Sequence, residues 1–243
     1  MNILFVNSTV KWGGVKTWML EYGAKLASRG HKVIICANKK ETGSFIERCR
    51  ENGLTVYPMK FGVDYSPLTI WHFVNLIRKE KIGVVCTNIE KDNRSAGIAA
   101  KICGKKVIQR VGLVSDLRNN FKFRVMQAAV VDKIIVPCNY IKEGLKKLSW
   151  LKQGKIFVVH NGKDLRKYHP KKWYIEVRRE LGIAENAVLL CVSSQLTKTK
   201  GHVYLLEAFS LLKERSGDIK LIIIGQGPLR EELEGKAKAL GLN

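Results

Sequence analysis

Ala187–His202 reads AVLLCVSSQLTKTKGH. The apolar run Val188–Val192, bounded by serine and threonine, has the length and composition of an inner, buried parallel strand. Behind it lies a polar loop with Lys198 and Lys200 just ahead of Gly201, and then the start of a helix. Ligands of open α/β sheets bind at the carboxyl ends of the strands, and a loop there with two lysines and a helix N-terminus suits a phosphate. An ordinary strand-to-helix loop whose lysines face water fits this stretch equally well.

The same alternation runs upstream. Ile3–Asn7 reads as a strand and Ser8–Gly14 as a loop, after which Trp18, Met19, Tyr22 and Leu26 recur at helical spacing. Gly30 closes that helix before a strand at Val33–Ala37, which makes a βαβ unit. Further strands are predicted at Thr55–Pro58, Val84–Thr87, Lys106–Val111, Lys133–Pro137 and Ile156–His160, with helices near 44–51, 68–80, 93–103, 122–129 and 140–148. Repeated strand–helix alternation predicts an α/β fold, a doubly wound and mainly parallel sheet with helices on both faces. After Gly162 the pattern breaks, and the basic, proline-containing stretch 168–172 places a domain boundary near Pro170. Residues 1–170 then form a first domain and 171–243 a second. The second holds only two predicted strands, Val188–Val192 and Lys220–Ile224, and two long helices, too little to close a sheet-based domain. It is expected to be incomplete.

With 46% hydrophobic residues the chain has enough apolar material for a sizeable core, and no window approaches 18 consecutive apolar residues. Met1–Val6 enters a strand directly and does not read as a signal peptide. Six cysteines are scattered without a CxxC pair, and Cys36, Cys86, Cys138 and Cys191 fall in apolar strand-like runs. That pattern predicts buried thiols and a cytoplasmic setting. The sharpest anomaly is charge: 43 basic against 21 acidic residues leave +22, which calls for an anionic partner. Basic pairs are spread along the chain instead of forming a stripe, which disfavours nucleic acid. The five histidines make no HExxH or other metal-ligand pair, so no metal is expected. Gly13-Gly14 after the first strand would let backbone N–H groups approach a phosphate. Gly225-Gln226-Gly227-Pro228 occupies the same topological point of the second domain, with Arg230 where a dinucleotide fingerprint would need its third glycine. Both glycine pairs also read as plain turns.

Taken in order, these segments resemble the family 4 retaining glycosyltransferases of the GT-B fold. The likeness rests on Gly13-Gly14, on LASRGHKV at Leu26–Val33, and on VHNGKD at Val159–Asp164. It continues with Lys200-Gly201-His202 ahead of LLEAF at Leu205–Phe209, and with IIIGQGPLR at Ile222–Arg230. The resemblance implies two Rossmann-like domains, a UDP- or GDP-linked sugar held mostly by the second, an acceptor held mostly by the first, and no metal or other cofactor. It makes Lys200, with Gly201, the group that neutralises the donor diphosphate; Gly13 and Gly14 would approach the same phosphates, and Gly225 and Gly227 would shape the nucleotide side. Three departures stand out. Gln195 occupies the position where the family commonly has an arginine, leaving Lys198 as a substitute. Ile108–Gly112 reads IQRVG where many members carry a histidine, so Arg110 becomes the candidate for an anionic acceptor or donor group, with Asp116 as its partner. The glutamate pair that typically holds the donor sugar is absent from the 243 residues. The resemblance therefore implies a cytoplasmic glycosyltransferase of cell-envelope or lipopolysaccharide synthesis. It would act on a glycan or lipid-linked acceptor, peripheral at an anionic inner membrane face, and these 243 residues alone would be inactive. The alternative is a truncated, non-catalytic binding module of the same fold.

Overall fold

In β1 (Asn2–Asn7) Ile3 and Phe5 enter one apolar cluster, Leu4 and Val6 another, and all four are buried. A strand with both faces apolar must be covered from both sides, and period-two alternation delivers that. The computed structural model describes residues 1–42, 44–165, 174–215 and 218–242. They divide into two units, Met1–Gly162 and Lys163–Asn243. The expected boundary at Pro170 lies outside the described residues.

The first unit is built on seven parallel strands: β1, β2 (Lys32–Asn38), β3 (Thr55–Met59), β4 (Val84–Thr87), β5 (Lys106–Arg110), β6 (Lys133–Val136) and β7 (Ile156–Val158). Their order is β3-β2-β1-β4-β5-β6-β7, with Leu4 opposite both Ile34 and Val85. α1 (Gly14–Ala27) and α2 (Phe45–Glu51) cover one face through Trp18, Met19, Phe45 and Cys49. α3 (Pro67–Lys79) starts with Pro67 and a Ser66 side chain that accepts from the Thr69 N–H. It covers the other face with Phe73 and Ile77, beside Ala99 and Met126. The helix expected at 93–103 begins earlier, as α4 (Glu90–Asp92), passes through a π-helical turn at Asn93–Gly97 and continues as α5 (Ile98–Ile102). At Gly97 a Cβ would lie 2.7 Å from Val130 Cγ1, so glycine lets this turn press against the end of α6 (Phe121–Ala129). α7 (Asn139–Lys146) precedes β7. The sequence turns back at β1, and β4 is placed on its other side. That reversal leaves a crevice at the carboxyl ends of β1 and β4, where such sheets bind ligands.

The second unit has α8 (Tyr174–Glu180), β8 (Val188–Ser193), α9 (His202–Arg215), β9 (Ile219–Ile224) and α10 (Arg230–Ala239). β8 and β9 pair in parallel, Cys191 opposite Ile222, over a small core of Leu196, Leu206, Leu229 and Leu233. β8 is not the buried inner strand its composition predicts. Among the described residues β9 is its only partner, and Val188 and Cys191 are exposed. Cys36 and Cys86 are buried as expected, Cys138 is half-buried, and all six cysteines are free thiols.

Candidate functional site

The crevice of the first unit is held by one carboxylate. Asp92, fully buried, accepts from the Ser8 N–H through Oδ1 at 3.0 Å and from the Asn88 and Ile89 N–H groups through Oδ2 at 3.2 and 3.1 Å. It thereby ties the loop after β1 to the loop after β4. Burial pushes its pKa up to about 6, against the pull of those N–H donors. The Asn88 side chain donates to Val6 O at 2.9 Å and strengthens the same joint.

Beside it lies a buried chain of amides around Glu90. Glu90 Oε1 accepts from Asn93 Nδ2 at 3.3 Å and from Gln127 Nε2 at 3.0 Å, and Gln127 also donates to Gln109 Oε1. Burial raises the Glu90 pKa, with the hydrogen bonds from Gln127 and Asn93 opposing it. Five buried polar atoms here have no partner: Asn7 Nδ2, Ser8 Oγ, Asn88 Oδ1, Glu90 Oε2 and Gln127 Oε1. Sequence reasoning passed over this cluster. The signal was available in Asn88-Ile89-Glu90-Lys91-Asp92-Asn93, a polar run directly behind an apolar strand.

Arg110 ends β5, and its guanidinium lies 5.0 Å from the ring centre of Trp18 on α1. Trp18 is itself braced edge-on by Phe5 and packed against Tyr22. Burial lowers the Arg110 pKa, and Asp116 and Tyr22 act against that. Arg110 and Asp116, both expected at the site, share a loop but do not pair. Asp116 Oδ2 instead accepts from the Gly112 and Leu113 N–H groups at 3.0 and 2.8 Å, closing the turn Val114–Asp116.

Gly13 and Gly14 open α1, and a Cβ at either would meet nothing within 4 Å, so their backbone faces open space. The loop they belong to is fixed from below by Lys16. Its ammonium donates to Val10 O at 2.9 Å and sits 3.3 Å from Glu41 Oε1 and 5.6 Å from the Phe45 ring centre. Tyr22 donates to His160 O and accepts from the Gly162 N–H, which anchors the VHNGKD loop on α1.

In the second unit the loop after β8 carries Gln195, Lys198 and Lys200, all exposed. Lys198–Lys200 is a 3-10 turn, and Gly201, at φ +69°, reverses the backbone before α9 in a conformation that favours glycine. Neither lysine forms a hydrogen bond or ion pair with a described residue through its side chain. His202, buried, meets Ser194 Oγ through Nε2 at 3.0 Å, and its Nδ1 has no partner. Gly225 and Gly227 lie close against the neighbouring loop. A Cβ would lie 2.0 Å from Ser194 O at Gly225 and 2.3 Å from Leu196 O at Gly227. Glycine there lets the loop after β9 lie backbone against backbone on the loop after β8, sealed by Leu196 N–H to Gln226 O at 3.0 Å and Leu229 N–H to Leu196 O at 3.2 Å. The lysine-bearing turn is positioned by that contact. Among the described residues no group of three histidine, cysteine, aspartate or glutamate side chains is arranged to hold a metal.

Residues 12–167 match the family model Glycosyltransferase Family 4, and residues 174–243 match Glycosyl transferases group 1. The chain is 22% identical, over 95% of its length, to a GDP-mannose-dependent alpha-(1-6)-phosphatidylinositol dimannoside mannosyltransferase of Mycobacterium tuberculosis. It is 26% identical over 65% of its length to the Escherichia coli UDP-Gal:alpha-D-GlcNAc-diphosphoundecaprenol alpha-1,3-galactosyltransferase, covering 44% of that protein. Among solved structures, a glycosyltransferase from Rickettsia africae superposes with a TM-score of 0.80 at 19% identity, covering 99% of this chain and 65% of that one. Anabaena HepE in complex with UDP and glucose also gives 0.80, at 17% identity, covering 100% of this chain and 67% of that one. The chain spans 63% of the length of the mycobacterial relative.

Proposed function

The chain belongs to Glycosyltransferase Family 4, and from that premise we propose that the protein transfers a sugar from a nucleotide-diphosphate donor to an envelope glycan or lipid-linked acceptor, with retention at the anomeric carbon. The carrying observation is Lys200: an exposed ammonium with no partner among the described residues, on a glycine-fixed turn between the carboxyl end of β8 and the start of α9. As the sugar–oxygen bond breaks, the departing nucleoside diphosphate gains negative charge. A lysine and a helix N-terminus aimed at that oxygen stabilise it without a metal. Lys198 stands ready to supply the second positive charge that Gln195 does not. Support for the acceptor class comes from the mycobacterial and Escherichia coli relatives, which act on a phosphatidylinositol dimannoside and a diphosphoundecaprenol-linked sugar. The test is nucleoside-diphosphate release by the full-length gene product and its Lys200→Ala variant. Loss of roughly 10²–10³-fold in kcat is expected; unchanged turnover would sink the lysine assignment, and no turnover by the unaltered protein would favour the reading as a non-catalytic binding module.

The same reading includes contact with an anionic bilayer surface. A charge of +22 supports it, as do Val63, Tyr65, Leu68, Trp71 and Phe121, large apolar side chains left exposed on the first unit. No helix among the described residues is long and apolar enough to cross a membrane. Binding to phosphatidylglycerol vesicles should weaken steeply as salt rises. Salt-independent binding, or none at low salt, would refute the electrostatic contact.

A further inference from the structure

Four buried or half-buried cations of the first unit spend their donors on the protein. Lys16 has Glu41 and Val10 O, Lys155 donates to Gln127 O and Val131 O, Lys101 pairs with Asp132, and Arg94 pairs with Asp64. Arg110, with Lys16 one of the two cations of that unit buried outright, does not. It is only 9% exposed, yet its guanidinium makes no hydrogen bond or ion pair with any described residue. Asp116, the acid expected to answer it, spends Oδ2 on the backbone of its own loop and acts on Arg110 through its charge without a hydrogen bond. The space beside the guanidinium is kept by Gly112, where a Cβ would come within 3.3 Å of Arg110 Nη1. Trp18 meets the guanidinium with its ring, which leaves the N–H groups for another acceptor. A buried guanidinium whose N–H groups have no acceptor is destabilising, and such a group persists when a ligand supplies the acceptor and counter-charge.

We propose that Arg110, laid on Trp18 and given room by Gly112, binds an oxyanion, a phosphate or a carboxylate, on the acceptor that the first unit holds. The acceptor is thus anionic close to its reacting end, and Arg110 selects it by two parallel N–H···O bonds. The word acceptor rests on the glycosyltransferase reading. Anion binding itself is measured without any transfer, so its failure and that of the lysine assignment are separate results.

The experiment follows the Arg110 Nε–Hε resonance in protein labelled with ¹⁵N-arginine, assigned by its disappearance in Arg110→Met. Glycerol 3-phosphate, glycerate and neutral glycerol serve as matched probes, with UDP and GDP as donor-side probes. One of the two anions should move the resonance while glycerol leaves it in place, and the tighter of the two names the oxyanion. Arg110→Lys keeps the charge but loses the fork, and affinity read from the Gly112 amide should fall about tenfold, the worth of one charge-assisted bond. Arg110→Met should abolish binding without lowering the melting temperature, a result that a structural arginine would not give. The proposal is overturned if Arg110→Met lowers the melting temperature or retains anion affinity. It is equally overturned if neither small anion moves the resonance, or if only UDP or GDP does.

Discussion

Lys16 offers the most direct test of how the glycine loop of the first unit is held. Its side chain is 1% exposed and that of Glu41 2%, so neither charge has water to fall back on. Lys16→Met keeps length and apolar volume but removes the ammonium that faces Glu41, the hydrogen bond to Val10 O and the contact with the Phe45 ring. Breaking a buried pair from one side costs about 3–5 kcal/mol, because the remaining charge keeps its desolvation penalty. Within that sum the bond to Val10 O accounts for roughly 1.5–3 kcal/mol. Lys16→Met with Glu41→Gln removes both charges and should recover the part of the loss due to the unpaired carboxylate, leaving roughly 1.5–3 kcal/mol for the lost bond to Val10 O. Urea titration followed by tryptophan fluorescence reads both, since Trp12 stacks edge-on against Phe45 and reports on this corner. The single variant should also raise the KM of whichever substrate the Ser8–Gly14 loop contacts. A single-variant cost under about 1 kcal/mol, or a double variant as unstable as the single, refutes the claim that this pair pins the loop.

Two further outcomes follow from the same structure. Asp92 titrates at about 6 in the fold against an ordinary 3.8, so its contribution is fully present below pH 3.8 and is lost as pH rises through 6. The stability difference between the wild type and Asp92→Asn should therefore shrink by about 3 kcal/mol between pH 4 and pH 7, and a flat difference would contradict the buried carboxyl. At the glycines, Gly225→Ala and Gly227→Ala should each cost roughly 3–5 kcal/mol in the second unit, because the added carbon strikes backbone oxygen. Gly13→Ala and Gly14→Ala, facing open space, should change stability by no more than about 0.5 kcal/mol; hydrogen exchange at the α10 amides and urea midpoints separate the two cases.

The elements were legible because each depends on local pattern. Runs such as Val84–Thr87 and Lys133–Val136 are too short and too apolar for anything but covered strands, and the observed ends fall within a residue or two of those expected. What sequence could not supply was the face and partner of a side chain. β8 is as apolar as β1, yet β1 has β2 and β4 beside it while β8 has only β9, so identical composition gives a buried strand in one unit and an exposed one in the other. Gly225 and Gly227 were visible as a turn, but their need arises from the Ser194–Leu196 backbone, contributed by a different strand. Arg110 was singled out by a motif position; that it would lie on Trp18, and that Asp116 would spend Oδ2 on its own loop, depends on how α1 crosses the sheet.

The distribution of unmet polar groups says more about where chemistry occurs than any single motif. A buried donor or acceptor without a partner costs on the order of 1–3 kcal/mol, and a folded chain removes such groups wherever it is free to do so. In the first unit most of them, on Asn7, Ser8, Asn88, Glu90 and Gln127, belong to the network at or behind the carboxyl ends of β1 and β4, the others being Arg94 Nε and Trp150 Nε1. The opposite edge shows the contrary habit: Asp132 there accepts from Lys101, from Lys106 and from the Val107 N–H. The two edges are built from the same strands and share one core, so packing alone gives no reason for the asymmetry. Ligand atoms or bound water at the β1/β4 crevice would supply the missing partners, and local frustration of this kind is what a site kept for binding retains.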